Sequence, residues 1–201
     1  MQDTLPIHFA PLQGYTEAIY RNAHDAFFGG VDTYYTPFVR LEKGNFRRRD
    51  VRGIEPENNG VPHLIPQLIA SSAEKAEVIL SLFIEKGYQE VDINLGCPFP
   101  LLAKRHNGSG ILPYPEEVKA LLSIVTRYPQ ISFSVKMRLG WEQPDECLAL
   151  APILNDLPLR QITMHPRLGK QGYKGEVDLQ GFSAFREACQ LPLVYNGDIH
   201  N

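Results

Sequence analysis

Hydrophobic residues along this chain fall into two alternating patterns. Short β-rich runs occupy residues 7–12, 33–39, 64–70, 90–96, 133–140, 161–167 and 193–199. Helical spacing fills most of the intervals. The clearest segment, 71–87, places Ser72 as a cap, a stripe of Ala73, Ala76, Val78, Ile79, Leu82 and Phe83, and Gly87 as a stop. Residues 115–128 repeat the pattern with Val118, Leu121, Leu122 and Val125 inward, and 145–154 and 181–189 are shorter versions. Strands alternating with helices predict βαβ units around a parallel sheet.

A doubly wound sheet would gather its functional loops at one switch point. Here chemically capable residues end almost every predicted strand: Gln13, Arg40, Gln67, Asn94 to Cys97, Lys136 to Arg138, His165 to Arg167 and Asn196 to Asp198. Contributions from many strand ends are the habit of a (β/α)8 TIM barrel, an α/β fold. Such a barrel takes ~250 residues, whereas 201 residues hold seven predicted strands. The expectation is one domain over residues 1–201, an incomplete barrel truncated after strand seven. No linker, repeat or low-complexity tract divides it. The irregular stretch 41–62, with Arg47, Arg48, Arg49 and Arg52, reads either as a solvated loop or as a phosphate-contacting patch on the catalytic face.

Composition narrows the class. With 20 Lys plus Arg against 23 Asp plus Glu, the formal charge of −3 excludes a globally basic nucleic-acid coat but leaves local patches open. No apolar run approaches the ~18 residues of a membrane span. The first residues lack the basic and apolar regions of a secretion signal. Three cysteines without a CxxC argue against a disulfide framework or zinc ribbon and fit a reducing, cytoplasmic setting. No metal is expected.

The strongest local chemistry is Asn94-Leu-Gly-Cys-Pro98. A cysteine between Gly and Pro just past a strand is held on a stiff turn at the barrel mouth, although an isolated thiol is more often simply buried. Residues 104–110, with Lys104, Arg105 and three small residues at 108–110, read as a cationic flap able to close over a substrate and shift the thiol's pKa. Lys136 and Arg138 share one strand face, where cations need an anionic or electron-rich partner. His165 and Arg167 stand on the next strand. Gly197 lets backbone amides approach a ligand, in the region where barrels often bind phosphate. No GxGxxG, Walker, HExxH or GxSxG motif occurs.

Ala10-Pro-Leu-Gln-Gly14, Pro66-Gln-Leu68, Asp92-Ile-Asn-Leu-Gly-Cys-Pro98, Gly108-Ser-Gly110, Val135-Lys-Met-Arg-Leu-Gly140, His165-Pro-Arg167 with Gln171-Gly-Tyr-Lys-Gly175, and Asn196-Gly-Asp198 appear in that order. The series resembles the tRNA-dihydrouridine synthase family of flavin-dependent (β/α)8 enzymes. The resemblance implies FMN held by Pro11, Leu12, Gln13, Gln67, Lys136, His165, Asn196, Gly197 and Asp198. It implies NADPH or NADH as electron donor, Cys97 as proton donor, and Asn94, Arg138, Arg40, Lys104 and Arg167 near a tRNA uridine. The family's strand-eight phosphate loop and helical C-terminal domain are expected to lie outside residues 1–201, and the full-length form is expected to be monomeric. Two rivals stand beside this reading: an FMN barrel acting on a free pyrimidine, and a non-catalytic fragment, either RNA-binding or inert.

Overall fold

Every β-rich run forms a strand in the computed structural model, which describes residues 5–199. The domain expectation at 1–4 and 200–201 lies outside the described residues. In chain order the strands are β1 (His8–Phe9), β2 (Thr33–Tyr35), β3 (Leu41–Glu42), β4 (Asn45–Phe46), β5 (Leu64–Ile65) and β6 (Gln67–Leu68). They continue with β7 (Glu90–Leu95), β8 (Ser132–Gly140), β9 (Leu159–Leu168) and β10 (Leu193–Tyr195). β1, β2 and β5 pair in parallel, as do β6 through β10 in sequence order. Pro66 separates β5 from β6 because it has no N–H to give the ladder. The hydroxyl of Thr36 meets the next amide, Gln67 N, at 3.1 Å. A parallel bridge from Val39 to Leu68 carries the second run past the break. The result is seven parallel staves of a TIM-type barrel among the described residues.

The helices are α1 (Ala18–Phe27), α2 (Arg48–Ile54), α3 (Ala73–Glu85), α4 (Pro100–Ala103), α5 (Pro115–Leu122), α6 (Ile124–Arg127), α7 (Glu146–Asn155) and α8 (Leu179–Ala188). Ser72 caps α3 as expected, its side chain accepting from Lys75 N. The stripe is corrected at one position: Leu80 is buried and Val78 faces solvent. The expected 115–128 helix is divided at Ser123, whose hydroxyl bonds back to Ala120 O at 2.8 Å, a local bond that competes with the helical ladder. All four of its predicted inward residues are buried. These faces pack on the outer side of the staves, with Ile79, Phe83, Ile93, Phe133, Val135 and Phe185 in the core.

Two elements depart from the sequence reading. α1 carries no inward apolar stripe: Ile19, Tyr20 and Phe27 are exposed, and its buried residue is Arg21. The 41–62 stretch is folded rather than a solvated loop. It holds the antiparallel β3–β4 hairpin, α2 and a 3₁₀ turn at Pro56–Asn58. Arg21 fastens it, donating to Thr16 O (2.6 Å), Gly53 O (2.8 Å) and Asn59 Oδ1 (2.6 Å). Burial pulls the Arg21 pKa down to about 10, which leaves it charged at neutral pH. Those carbonyls therefore receive charge-assisted bonds.

Candidate active site

β7 ends in a turn built by one side chain. Asn94 Oδ1 accepts from Gly96 N at 3.0 Å and from Cys97 N at 2.8 Å. Beneath the turn, Cys97 O accepts from Ser109 N (3.0 Å) and Ser109 Oγ (2.9 Å). Gly108 makes this close approach possible. Its φ is +60°, and a Cβ there would lie 2.6 Å from Cys97 O and 2.8 Å from Cys97 Cβ. Residues 108–110 are thus a buried pedestal for the turn, which corrects the expectation of a flap closing over a substrate. Burial pushes the Cys97 thiol up, while a bond from the Phe99 amide and the charges of Arg138, Arg40 and Lys136 act in the opposite sense. The thiol is therefore protonated at neutral pH.

The pedestal makes a prediction. Gly108→Ala should destabilise the fold by about 1–3 kcal/mol, the usual cost of overpacking, read as a lower urea midpoint. An unchanged midpoint would mean that the 108–110 segment can step away from Cys97.

Register supplies the floor of the site. Gln67 and Asp92 stand opposite each other on adjacent staves, as do Asp92 and Ser134, and Asn94 and Lys136. Gln67 Nε2 donates to Asp92 Oδ2 at 2.7 Å, and Ser134 Oγ donates to Asp92 Oδ1 at 2.5 Å. Asn94 Nδ2 donates to Gln67 Oε1 at 2.7 Å. Lys136 is half-buried at the cavity wall, and its pKa falls to about 8 through burial, with the nearby Asp92 carboxyl holding it up. Arg138, only 2% exposed, donates to Gly96 O (2.9 Å), Leu168 O (2.9 Å) and Gly172 O (2.7 Å). Its guanidinium lies 5.4 Å from the Tyr173 ring centroid.

β9 and the loop after β10 form the third wall. Arg167 Nη1 donates to His165 Nε2 at 3.1 Å, and the Arg167 guanidinium grips the Asp198 carboxylate through both terminal nitrogens. Burial and the cations Arg138, Lys136 and Arg167 drive the His165 pKa down to about 3. The ring is therefore neutral, and because Nε2 accepts, Nδ1 carries the proton. Gly197 has φ +135°, and a Cβ there would sit 3.0 Å from the His165 ring, so glycine lets this loop pass directly over the imidazole.

One cavity of about 570 Å³ gathers most of these groups. Pro11, Leu12, Gln13, Arg40, Gln67, Asn94, Cys97, Lys136, Arg138 and His165 line it. Arg47, Phe99 and Tyr173 also line it. Neither Phe99 nor Tyr173 stands out in the sequence by itself, although Phe99 adjoins the motif ending at Pro98 and Tyr173 lies within the one at 171–175. Asn196 lines a small neighbouring cavity of about 50 Å³ that shares Pro11 and Lys136. Arg167 and Asp198 pair behind His165. Lys104 lies apart, in a separate cleft with His106, Tyr114 and Trp141. Both polar atoms of the Gln13 side chain are buried without a hydrogen-bond partner. A buried amide without partners is costly and marks a position where a ligand would complete the bonding. Among the described residues no group of three His, Cys, Asp or Glu could hold a metal, and no helix is long and apolar enough to cross a membrane.

The model of the dihydrouridine synthase (Dus) family matches residues 8–201. "Probable tRNA-dihydrouridine synthase 1" of Synechocystis is 29% identical over 197 residues, covering 94% of this chain and 53% of that protein. tRNA-dihydrouridine synthase B of Vibrio cholerae is 32% identical over 135 residues, 67% of this chain and 40% of its own length. tRNA-dihydrouridine(16) synthase of Haemophilus ducreyi is 28% identical over 211 residues, 96% of this chain and 62% of that protein. The chain thus spans about half the length of the curated relatives it matches. In fold it is similar to a solved variant of NCR from Zymomonas mobilis, with a TM-score of 0.54 at 13% identity over 96% of this chain and 75% of that one.

Proposed function

Since the chain belongs to the dihydrouridine synthase family, we propose that it forms the catalytic barrel of an enzyme that reduces a uridine in tRNA to 5,6-dihydrouridine. The observation that carries this reading is the meeting of a protonated thiol, several cations and an unpartnered buried amide in one cavity. The cofactor is flavin mononucleotide, recharged by NADPH or NADH. The residues fit it: the Gln13 amide has bonds to give, Gln67 and Pro11 lie beside it, and Lys136 supplies positive charge. Asn196, Gly197 and Asp198 adjoin His165 where the phosphate would be sought. Bound and reduced, the flavin supplies the hydride that adds to C6 of the uracil ring.

The chain's own residues do the rest. Cys97 gives its proton to C5, the role for which burial keeps the thiol protonated. The thiolate left behind lies in the field of Arg138, Arg40 and Lys136, which lowers its energy. Asn94 fixes the turn that aims the sulfur. Arg138, anchored by three carbonyls, presents fixed positive charge toward the uracil carbonyls, where negative charge develops. His165 offers an Nδ1–H donor and no charge. The uridine must leave its stack to enter the cavity. Arg40 and Arg47 at the cavity and Lys104 outside it are the cations offered to the RNA, whereas Arg167 is buried and committed to Asp198 behind His165. The enzyme is taken to act as a monomer in the cytoplasm.

The test supplies FMN, NADPH or NADH, and a uridine-containing tRNA transcript, and seeks dihydrouridine by mass spectrometry of the nucleoside digest. Free uracil and orotate run in parallel. Product in tRNA alone supports the reading. Turnover of the free pyrimidines with none in tRNA overturns it in favour of a small-molecule reductase.

RNA affinity tests the arginine patch. Removing one phosphate-binding cation should flatten the log K against log salt slope by ~0.7–0.9. Arg47 lines the cavity with one carboxylate, Glu42, at 3.9 Å, whereas Arg49 lies outside it between two, Glu17 and Asp50, at 3.8 and 3.9 Å. Arg47→Ala should therefore flatten the slope by that amount and Arg49→Ala should leave it unchanged. Equal slopes for wild type and Arg47→Ala would remove Arg47 from the RNA interface.

A further inference from the structure

Four polar groups run in an unbroken line from the barrel interior to the reactive turn. Ser134 Oγ donates to Asp92 Oδ1, Asp92 Oδ2 accepts from Gln67 Nε2, and Gln67 Oε1 accepts from Asn94 Nδ2. Asn94 Oδ1 then accepts the amides of Gly96 and Cys97. Gln67 and Asp92 are each 1% exposed, so water does not compete for these bonds. The two ends of a primary amide have nearly the same shape, and an isolated Gln or Asn can turn over at little steric cost. Here neither can, because each bond in the line determines the polarity of the next. The backbone N–H groups of the turn require an oxygen from Asn94. That orientation points the Asn94 NH₂ at Gln67, which must answer with its own oxygen. Gln67 is left with an NH₂ in the interior, and it needs an acceptor there.

We propose that Asp92 is the positioning residue of this site: it terminates the amide line, fixes Gln67 and Asn94 one way up, and through Asn94 holds the Cys97 turn closed. Asp92 touches neither the thiol nor the cavity in which Cys97 lies. Its influence passes through two side chains, over positions 92, 67, 94 and 97, which the pairing of β6 with β7 brings together. The inference rests on the reading of Cys97 as the reactive thiol. The same line sets which face of the Gln67 amide meets a ligand in the cavity, so Asp92 also decides whether Gln67 donates or accepts there.

The experiment measures iodoacetamide labelling of each cysteine by peptide mass spectrometry, with no RNA or reductant present. It therefore stands whether or not tRNA is reduced, and failure of the tRNA assay leaves its result intact. Buried Cys147 reports global unfolding. Asp92→Ala removes the terminal acceptor and should raise Cys97 labelling about tenfold, the worth of one buried hydrogen bond in the open population, with Cys147 unchanged. Asn94→Asp reverses the polarity. An aspartate there still accepts the turn amides but asks Gln67 for its NH₂, leaving the Gln67 oxygen against Asp92, and Cys97 labelling should again rise. Adding Asp92→Asn to Asn94→Asp supplies the NH₂ that the reversed Gln67 needs, and labelling should return to within about twofold of wild type. If Asp92→Ala exposes Cys147 as well, the two near-isosteric variants decide. Cys97 labelling unmoved by Asn94→Asp, or left just as high when Asp92→Asn is added, overturns the proposal, because mere filling of the core predicts no rescue from a second substitution.

Discussion

Cys97→Ala is expected to slow reduction of the tRNA uridine by ~10²–10⁴-fold, the span associated with one positioned acid or base, while flavin binding changes little. The separation follows from the geometry. Apart from one bond that its sulfur accepts from the Phe99 amide, the Cys97 side chain holds nothing in place: the turn is built from Asn94 Oδ1, the Gly96 and Cys97 amides and the Cys97 carbonyl, all of which alanine retains. What disappears is the thiol proton that the proposed mechanism delivers to C5. Single-turnover oxidation of the reduced holoenzyme by tRNA reads the step directly. Cys147→Ala serves as the control, since that thiol is buried in α7 and bonded to Pro144 O at 3.2 Å. A Cys97→Ala rate equal to wild type would falsify the assignment of the proton donor.

The second large effect belongs to Lys136. Lys136→Met keeps the stem and removes the charge, and should cost about 10²–10³-fold in rate, as loss of one aligned electrostatic donor does. The pH dependence carries the sign. Lys136 is charged below a pKa of about 8, so its stabilisation of anionic species is full under that pH and lost as pH rises through it. Wild type should therefore lose activity above about pH 8, and Lys136→Met should be slow and flat across the same range. Stability moves the other way. Between about 8 and the ordinary lysine value of 10.5, the unfolded chain binds a proton that the folded chain has released, so stability from this group rises with pH. Denaturant titrations at both ends of that window should show the rise in wild type and its absence in Lys136→Met. A rate limb that survives in the variant would assign the titration to another group.

Much of this architecture is legible in the chain itself. Every β-rich run became a stave, Ser72 capped its helix, and the groups at the strand ends converged on one face. These features rest on short-range rules: alternation along a strand, three- to four-residue spacing along a helix, and the stiffness of a Gly-Cys-Pro turn. The same rules missed α1, whose buried residue is an arginine and whose apolar side chains point outward. They also read the 41–62 stretch as irregular, because the groups that fasten it, Arg21 and Asn59, are 38 positions apart.

The sequence alone determined the order of strands and helices, the barrel class and the chemical types available at the cavity, because each follows from the spacing of neighbouring residues. Only the tertiary structure decided what those types do. It turned the small residues at 108–110 into a pedestal, paired Arg167 with Asp198 across 31 positions, and joined Asp92, Gln67 and Asn94 into one line. The physical reason is register. Periodicity says which face a side chain leaves by, but which partner it meets there depends on how far each stave slides past the next, and only packing of the whole barrel sets that.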